Sequence, residues 1–354
     1  MALGAYVHIP FCEHRCDYCA FATWTDRHHL IDRYLAAVRV EVLRAVADGL
    51  GPVATVFVGG GTPSLVPAEG LAAVLDALPR TPGAEVSVEC NPDTVTPALL
   101  DAYLDAGVTR ISLGVQSMVP TVLGSLGRTH DPDNVAVAVA AIRSRGFASF
   151  NLDLIYGAAG ETLADWSRTV DAALALDPPH VSAYGLTVES GTALAADPAR
   201  HPDDDDQADK YELVTARMAE AGLEWYEISN WARPGHRCRH NLGYWSQGDY
   251  RGFGCAAHSH QDGRRWWNVR TPERYLAAID EGRSPEAGAE VLDPAARRIE
   301  ALQLAVRTDD GVPASALSDD DRADLAPFLV DRGDHVVLSE AGRLLANEVA
   351  VRLR

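Results

Sequence analysis

Apolar residues recur along the first half of the chain in two alternating rhythms. Short runs rich in β-branched residues read as strands over Ala5–Ile9, Thr55–Val58, Glu85–Cys90, Arg110–Gly114, Ser149–Leu154 and His180–Leu186. Between them the period lengthens to that of a helix. Ile31, Leu35, Val38, Val42 and Val46 fall three or four apart and form one apolar stripe. Pro67–Leu78, Pro97–Ala106, Pro132–Arg145 and Leu163–Leu176 follow the same spacing. Several of them open on proline, which suits a first helical turn. Strands separated by helices of about ten to fifteen residues predict parallel β-α-β units. Six such units predict an α/β fold, an open or partial (β/α)6 barrel. Ligands of such folds bind at the C-terminal ends of the strands. The candidate chemistry falls there: Cys12–Cys19 after the first strand, Gly59–Pro63 after the second, Asn91–Pro92 after the third, and Gln116 after the fourth.

The rhythm changes after about residue 195. Ala195–Asp206 reads as a linker or surface loop, with Asp203–Asp206 as a solvated acidic run. Gln207–Ala221 reads as a helix and Glu224–Ile228 as a further strand. Pro234–Trp267 is rich in Gly, His, Arg and aromatic residues and shows little periodicity, so a long functional loop region is expected. Helical spacing returns at Pro272–Glu281 and Pro294–Val306, and a strand at His335–Leu338 precedes a helix at Glu340–Leu353. These patterns predict a core domain over 1–235 and a C-terminal region over 236–354 that includes a smaller, mostly helical domain.

Composition narrows the function classes. The net charge of -19 excludes a nucleic-acid-binding role, because phosphates demand a basic surface. No apolar run reaches the length of a membrane span, so no integral membrane segment is expected. The N-terminus carries no basic region followed by an apolar stretch, so the expected compartment is the cytoplasm. Only 6 cysteines occur in 354 residues, too sparse for a disulfide framework.

Three of those cysteines lie together, in YVHIPFCEHRCDYCAF. Cys12, Cys16 and Cys19 have the spacing C-x3-C-x2-C. A loop of that spacing can turn three thiolates toward one 4Fe-4S cluster and leave one iron open, as a catalytic site requires. A structural zinc loop, with His8 or His14 as fourth ligand, is the competing reading of these residues. Cys90, Cys238 and Cys255 read as buried small apolar residues.

The cysteine spacing resembles the cluster loop of the radical S-adenosylmethionine (SAM) superfamily. The flanking YVHIPFC narrows the resemblance to the branch that holds oxygen-independent coproporphyrinogen III oxidases and HemW-type heme chaperones. It implies a radical SAM barrel whose open iron is chelated by SAM. It also implies roles for residues along the strand ends. VGGGTPS resembles the GGGTP segment that meets the SAM amino group, which places Gly61 and Thr62 at the cofactor. Glu89 in VECNP matches an acid that accepts hydrogen bonds from the SAM ribose, and Asp153 in NLDLIYG a second ribose-side acid. Gln116 in SLGVQS matches an amide that both donates and accepts. Arg128 in LGRTH matches an arginine that pairs with the SAM carboxylate. Tyr6 matches a tyrosine lining the site. In this superfamily the reduced cluster passes one electron to SAM and generates a 5′-deoxyadenosyl radical. The oxidase uses that radical on coproporphyrinogen III propionates.

Three features point toward the chaperone side of the branch. The oxidase loop carries a further cysteine where this chain has Phe21. The oxidase has an N-terminal extension, whereas this chain begins five residues before Tyr6. HNLGYW, His240–Trp245, matches the HNxxYW motif whose histidine is implicated in heme binding. Imidazole ligates heme iron, and Tyr244 and Trp245 could pack on a porphyrin. His236, His258, His260 and Cys238 are rival ligands. The resemblance thus implies a protein holding a 4Fe-4S cluster and SAM, binding heme through His240 and passing it to an acceptor protein, itself soluble or membrane-associated. The acceptor and the electron donor are not identified by sequence. The alternative is the oxidase, so enzymatic turnover stays open.

Overall fold

The computed structural model describes residues 3–354. Six parallel strands form its centre: β1 (Gly4–Ile9), β2 (Val53–Gly60), β3 (Arg80–Cys90), β4 (Arg110–Gln116), β5 (Ser149–Tyr156) and β6 (His180–Gly185). Between them run α1 (Ile31–Ala47), α2 (Ala68–Ala77), α3 (Pro97–Asp105), α4 (Pro120–Ser125), α5 (Pro132–Ser144) and α6 (Leu163–Ala175). The sequence placed these elements to within a few residues, except that it missed α4 and began β3 at Glu85. The helix starts have local causes. Thr96, Asp131 and Thr162 accept a backbone N–H at the N-caps of α3, α5 and α6, and Thr162 forms a capping box with Asp165.

Strand residues alternate between two unlike faces. Ala5, Val7, Ile9, Val56, Val58, Val88, Ile111, Leu113, Leu152 and Val181 pack with Leu35, Val38 and Val42 of α1 and with apolar residues of the other helices in one core. The opposite, inner face is polar: Tyr6 and His8, Glu85 and Glu89, Arg110 and Ser112, Asn151 and Asp153, His180 and Ser182. Helices on one side and polar side chains on the other describe a partial-barrel wall rather than a doubly wound sheet. The sheet stays open: β1 to β6 lie side by side in chain order at its centre, and mostly shorter strands extend it at both edges.

The outer strands correct two expectations. Pro234–Trp267 is not a loop region. It contains α8 (Arg239–Trp245), β9 (Tyr250–Phe253), β10 (His258–Gln261) and most of β11 (Arg264–Asn268), following β7 (Glu224–Glu227) and β8 (Asn230–Ala232). β9 pairs parallel with β1, and β10, β11 and β12 (Glu286–Val291) continue antiparallel. Four-residue strands with a polar inner face give too short an alternation to read. Asp203–Asp206 is not a solvated loop either. Asp203 caps α7 (Asp204–Glu220), and the other three acids fill its first turn, where the helix dipole favours negative charge.

Beyond α9 (Pro272–Asp280), α10 (Pro294–Ala305) leads into a second apolar core around Val306, Val312, Leu325, Val336 and Val349. That core holds a three-stranded sheet of β13 (Val312–Pro313), β15 (His335–Leu338) and β14 (Leu329–Arg332), with α11 (Asp319–Asp324). The final helix expected over Glu340–Leu353 is two short ones, α12 (Glu340–Leu344) and α13 (Ala346–Ala350), because Leu345 leaves helical geometry at ψ 24°. Among the described residues no helix is long and apolar enough to cross a membrane.

One buried ion pair locks α7 to the β5–α6 loop. Lys210 Nζ lies 3.2 Å from Glu161 and 2.6 Å from Asp206, with the Lys210 and Glu161 side chains fully buried. Lys210→Met should leave Glu161 charged and unpaired and cost about 3–5 kcal/mol in urea unfolding. A Lys210→Met/Glu161→Gln double variant should recover part of that loss; no recovery would mean that the pair does not carry the effect.

Candidate functional site

The cysteine loop leaves β1 and is pinned from several sides. Cys12 N–H donates to Trp24 O and Asp17 N–H to Leu126 O, while His28 bonds the Cys12 carbonyl at 2.9 Å. Arg200 pairs with Asp17 at 2.7 Å. Cys12, Cys16 and Cys19 are free, half-buried thiols. Burial pushes the Cys12 thiol up to about 11, and the neighbouring Cys19 and Cys16 add to that shift. Thr62 Oγ1 lies 3.7 Å from Cys12 Sγ, and an Arg128 nitrogen 3.6 Å from Cys16 Sγ. The loop thus meets two of the expected cofactor residues through sulfur.

Of the zinc candidates, His14 is exposed and His8 has both ring nitrogens engaged, with Tyr6 Oη at 3.0 Å and Ala22 O at 2.9 Å. Among the described residues no three His, Cys, Asp or Glu side chains converge as around a single ion. A cubane takes its thiolates at separate corners, so it needs no such convergence.

The glycine run explains how β2 comes so close. A side chain on Gly60, at φ +109°, would meet the His8 ring at 2.4 Å, and one on Gly61 would meet Phe11 O at 2.5 Å. Gly59 would meet Glu89 Oε2 at 2.8 Å. Glu89 in turn accepts the Gly60 N–H at 3.1 Å. Burial, then the charge of Asp153, pushes Glu89 up to about 8. Asp153 is also raised, by burial, against hydrogen bonds from Ser112 and Asn151 at 2.8 Å. Two half-buried carboxylates therefore stand close enough for the charge of one to raise the other.

Next to them, Gln116 sits at φ +63°, a strained conformation for a non-glycine residue, and its Oε1 is buried without a partner. Arg128 Nε is likewise buried and unpartnered, while Nη2 donates to Gly114 O at 2.8 Å. Orphaned polar atoms, neighbouring carboxylates and a side-chain-free backbone fit a polar ligand carrying both donors and acceptors. Tyr6, Gly61, Thr62, Glu89, Gln116, Arg128 and Asp153 are thus gathered at the upper inner face, beside the cysteines.

His240 lies elsewhere, on α8 at the lower end of that face. Glu85 organises the start of α8, accepting the backbone N–H of Arg239 and of His240, each at 3.1 Å. His240 is 3% exposed. Its Nδ1 lies 3.0 Å from Thr55 Oγ1, its Nε2 2.8 Å from Tyr244 Oη, and its ring stacks on Phe57 at 5.5 Å. Burial lowers it to about 3, so it is a neutral imidazole. A cavity of about 360 Å³ opens beside α8, lined by Gly4, Thr55, His240, Tyr244, Tyr250 and, after α10, Thr308. Of the rival ligands, Cys238 is buried against Glu85, His236 bonds Ser149, His258 is exposed against Trp267, and His260 is buried.

Sequence reading missed the residues that link the two ends. Asn151 Nδ2 donates to Asp153, and its Oδ1 lies 2.6 Å from His180 Nδ1. His180 Nε2 lies 2.7 Å from Tyr226 Oη, which accepts the Cys238 N–H at 3.3 Å. Asn151 stands two residues before Asp153 on one strand, a same-face spacing that could have flagged it.

The profile of the radical SAM superfamily matches residues 6–173. The protein named heme chaperone HemW in Mycobacterium tuberculosis is 46% identical, over 98% of this chain and 93% of its own length. HemW of Escherichia coli is 34% identical over 98% and 97%. The chain belongs to the HemW family of radical SAM proteins. Its fold is also that of the Escherichia coli coproporphyrinogen III oxidase HemN, at TM-score 0.83 and 22% identity over 99% of this chain and 89% of that one. Phe21, beside the cysteine loop, is 64% exposed.

The raised Glu89 makes a linkage prediction for this family member. Between its ordinary value of 4.5 and about 8 the folded chain holds a proton that the unfolded chain releases. That stability is fully present below the lower value and is lost as pH rises through the upper one. Glu89→Gln stays neutral and should flatten the loss, read as urea midpoints at about pH 5 and about pH 9. Parallel curves for the two chains would show that Glu89 ionises normally.

Proposed function

We propose that this protein is a heme chaperone that binds heme, passes it to an acceptor protein, and carries a 4Fe-4S cluster and SAM. Full-length membership of the HemW family carries the reading. Cys12, Cys16 and Cys19 would hold the cluster, and their free thiols suit a reducing compartment such as the cytoplasm. With one iron left open, the cluster would supply one electron and a docking position for SAM.

The chain's own residues then divide the cofactor between them. Arg128 is placed to pair with the SAM carboxylate through a guanidinium already aimed by Gly114 O. Gly61 and Thr62 present backbone to the amino group. Glu89 and Asp153 accept from the ribose, and Gln116 and Tyr6 complete the wall. A bound sulfonium and ammonium would also relieve the mutual repulsion of the two half-buried carboxylates. Heme would dock at the cavity beside α8 in the region of His240. A cavity of about 360 Å³ would grip part of a macrocycle and leave the rest reachable by an acceptor.

Two experiments test these assignments. A Cys12→Ala/Cys16→Ala/Cys19→Ala variant, reconstituted anaerobically, should lose its iron, sulfide and brown absorbance. Arg128→Ala and Glu89→Ala should each weaken SAM binding about tenfold or more by calorimetry. Retained iron in the first, or unchanged affinity in the second, would remove those residues from their roles. Separately, heme titration and coproporphyrinogen III turnover should be run on one reconstituted sample. Stoichiometric heme binding without decarboxylation is expected; decarboxylation with 5′-deoxyadenosine release would make the protein an oxidase.

A further inference from the structure

His240 is poorly placed to meet an iron atom itself. Both ring nitrogens are engaged, its plane is held against Phe57, and it is 3% exposed. Iron could reach Nε2 only where the Tyr244 hydroxyl now stands. Tyr244 is the more accessible member of the pair: it is half-buried and lines the cavity. Its Oη sits 2.8 Å from Nε2 and keeps a lone pair free. Thr55 Oγ1 lies 3.0 Å from Nδ1, and in the tautomer with its proton on Nε2 the Thr55 hydroxyl donates to Nδ1 while Nε2–H donates to Tyr244 Oη, which leaves the phenol O–H for the cavity. Tyr250 also lines the cavity, but among the described residues no imidazole nitrogen lies on its hydroxyl.

We propose that Tyr244, not His240, supplies the ligand atom to ferric heme, with His240 as the positioning residue behind it; this rests on the heme-carrying reading above. On ligation the Tyr244 O–H bond breaks, an O–Fe(III) bond forms, and the proton leaves to solvent through the cavity, while neutral His240 keeps its Nε2–H on the phenolate oxygen. No electron moves, so the iron stays ferric. Phenolate is an established axial ligand of heme iron. The i, i+4 spacing of His240 and Tyr244 puts both on one face of α8, which is why the pair meets at all.

The test adds hemin to the full chain and follows absorbance and the iron–phenolate stretch in resonance Raman. The unaltered chain should show that stretch. Tyr244→Phe removes one oxygen, keeps the ring contacts with His240 and Tyr250, and should lose the stretch and about tenfold or more in affinity. Tyr244→His should replace it with an iron–imidazole signature. His240→Gln should keep the stretch but move its appearance to higher pH, which a purely structural role would not do. An unchanged spectrum in Tyr244→Phe overturns the assignment alone, and would point to His260, whose Nε2 is buried without a partner. Failure of the unaltered chain to bind hemin overturns the heme-carrying reading together with it.

Discussion

At the end of β2 three successive glycines pass so close to neighbouring groups that none could carry a side chain without displacing them. Gly60 abuts the His8 ring, Gly61 the carbonyls of Ile9 and Phe11, and Gly59 the Glu89 carboxylate. This contact sets where β1 ends, and so where the cysteine loop begins. It also aims Gly60 N–H at Glu89 and brings Thr62 to Cys12. The cysteines, the glycines and the first acid are thus one packed unit. A methyl group at Gly60 would meet both a left-handed backbone and the His8 ring, and the relief would have to come from β1.

The second constraint is the one-sided sheet. With helices covering only its apolar face, the inner face must satisfy its own polar groups. It does so through shared hydrogen bonds. From Asp153 they run through Asn151, His180 and Tyr226 to the Cys238 amide at the start of α8. Glu85 stands mid-way along β3 and Glu89 near its C-terminal end, the first organising α8 and the second close to Asp153. The upper and lower parts of the inner face therefore share strands and hydrogen bonds, although their chemistry differs.

Sequence exposed most of the frame because its helix-covered strands alternate cleanly between apolar and polar, and because the cysteines and glycines have special spacings. It failed where meaning depends on a partner distant in the chain. β9 is recognisable only beside β1, and its own four residues carry no rhythm. Asp203–Asp206 reads as solvated acid until Lys210 and the helix start are seen. His240 was legible as a motif residue, but its burial and its bonds to Thr55 and Tyr244 were not. His180 and Asn151 belong to no motif and surface only as links in a network.

The inner face also concentrates polar groups that the fold itself leaves unsatisfied. Glu89 and Asp153 are both half-buried, both raised, and no guanidinium or ammonium hydrogen-bonds to either among the described residues. Gln116 and Arg128 nearby leave polar atoms unsatisfied. Each of these is a local loss that the fold tolerates because its apolar core lies on the other face. A ligand carrying positive charge and hydroxyl donors would remove several of them at once. Binding free energy of that kind appears as added stability, growing with ligand concentration. The strain at Gln116 and the neighbouring acids thus belong to one arrangement, and a ligand able to relieve both would gain more there than one that relieves either alone.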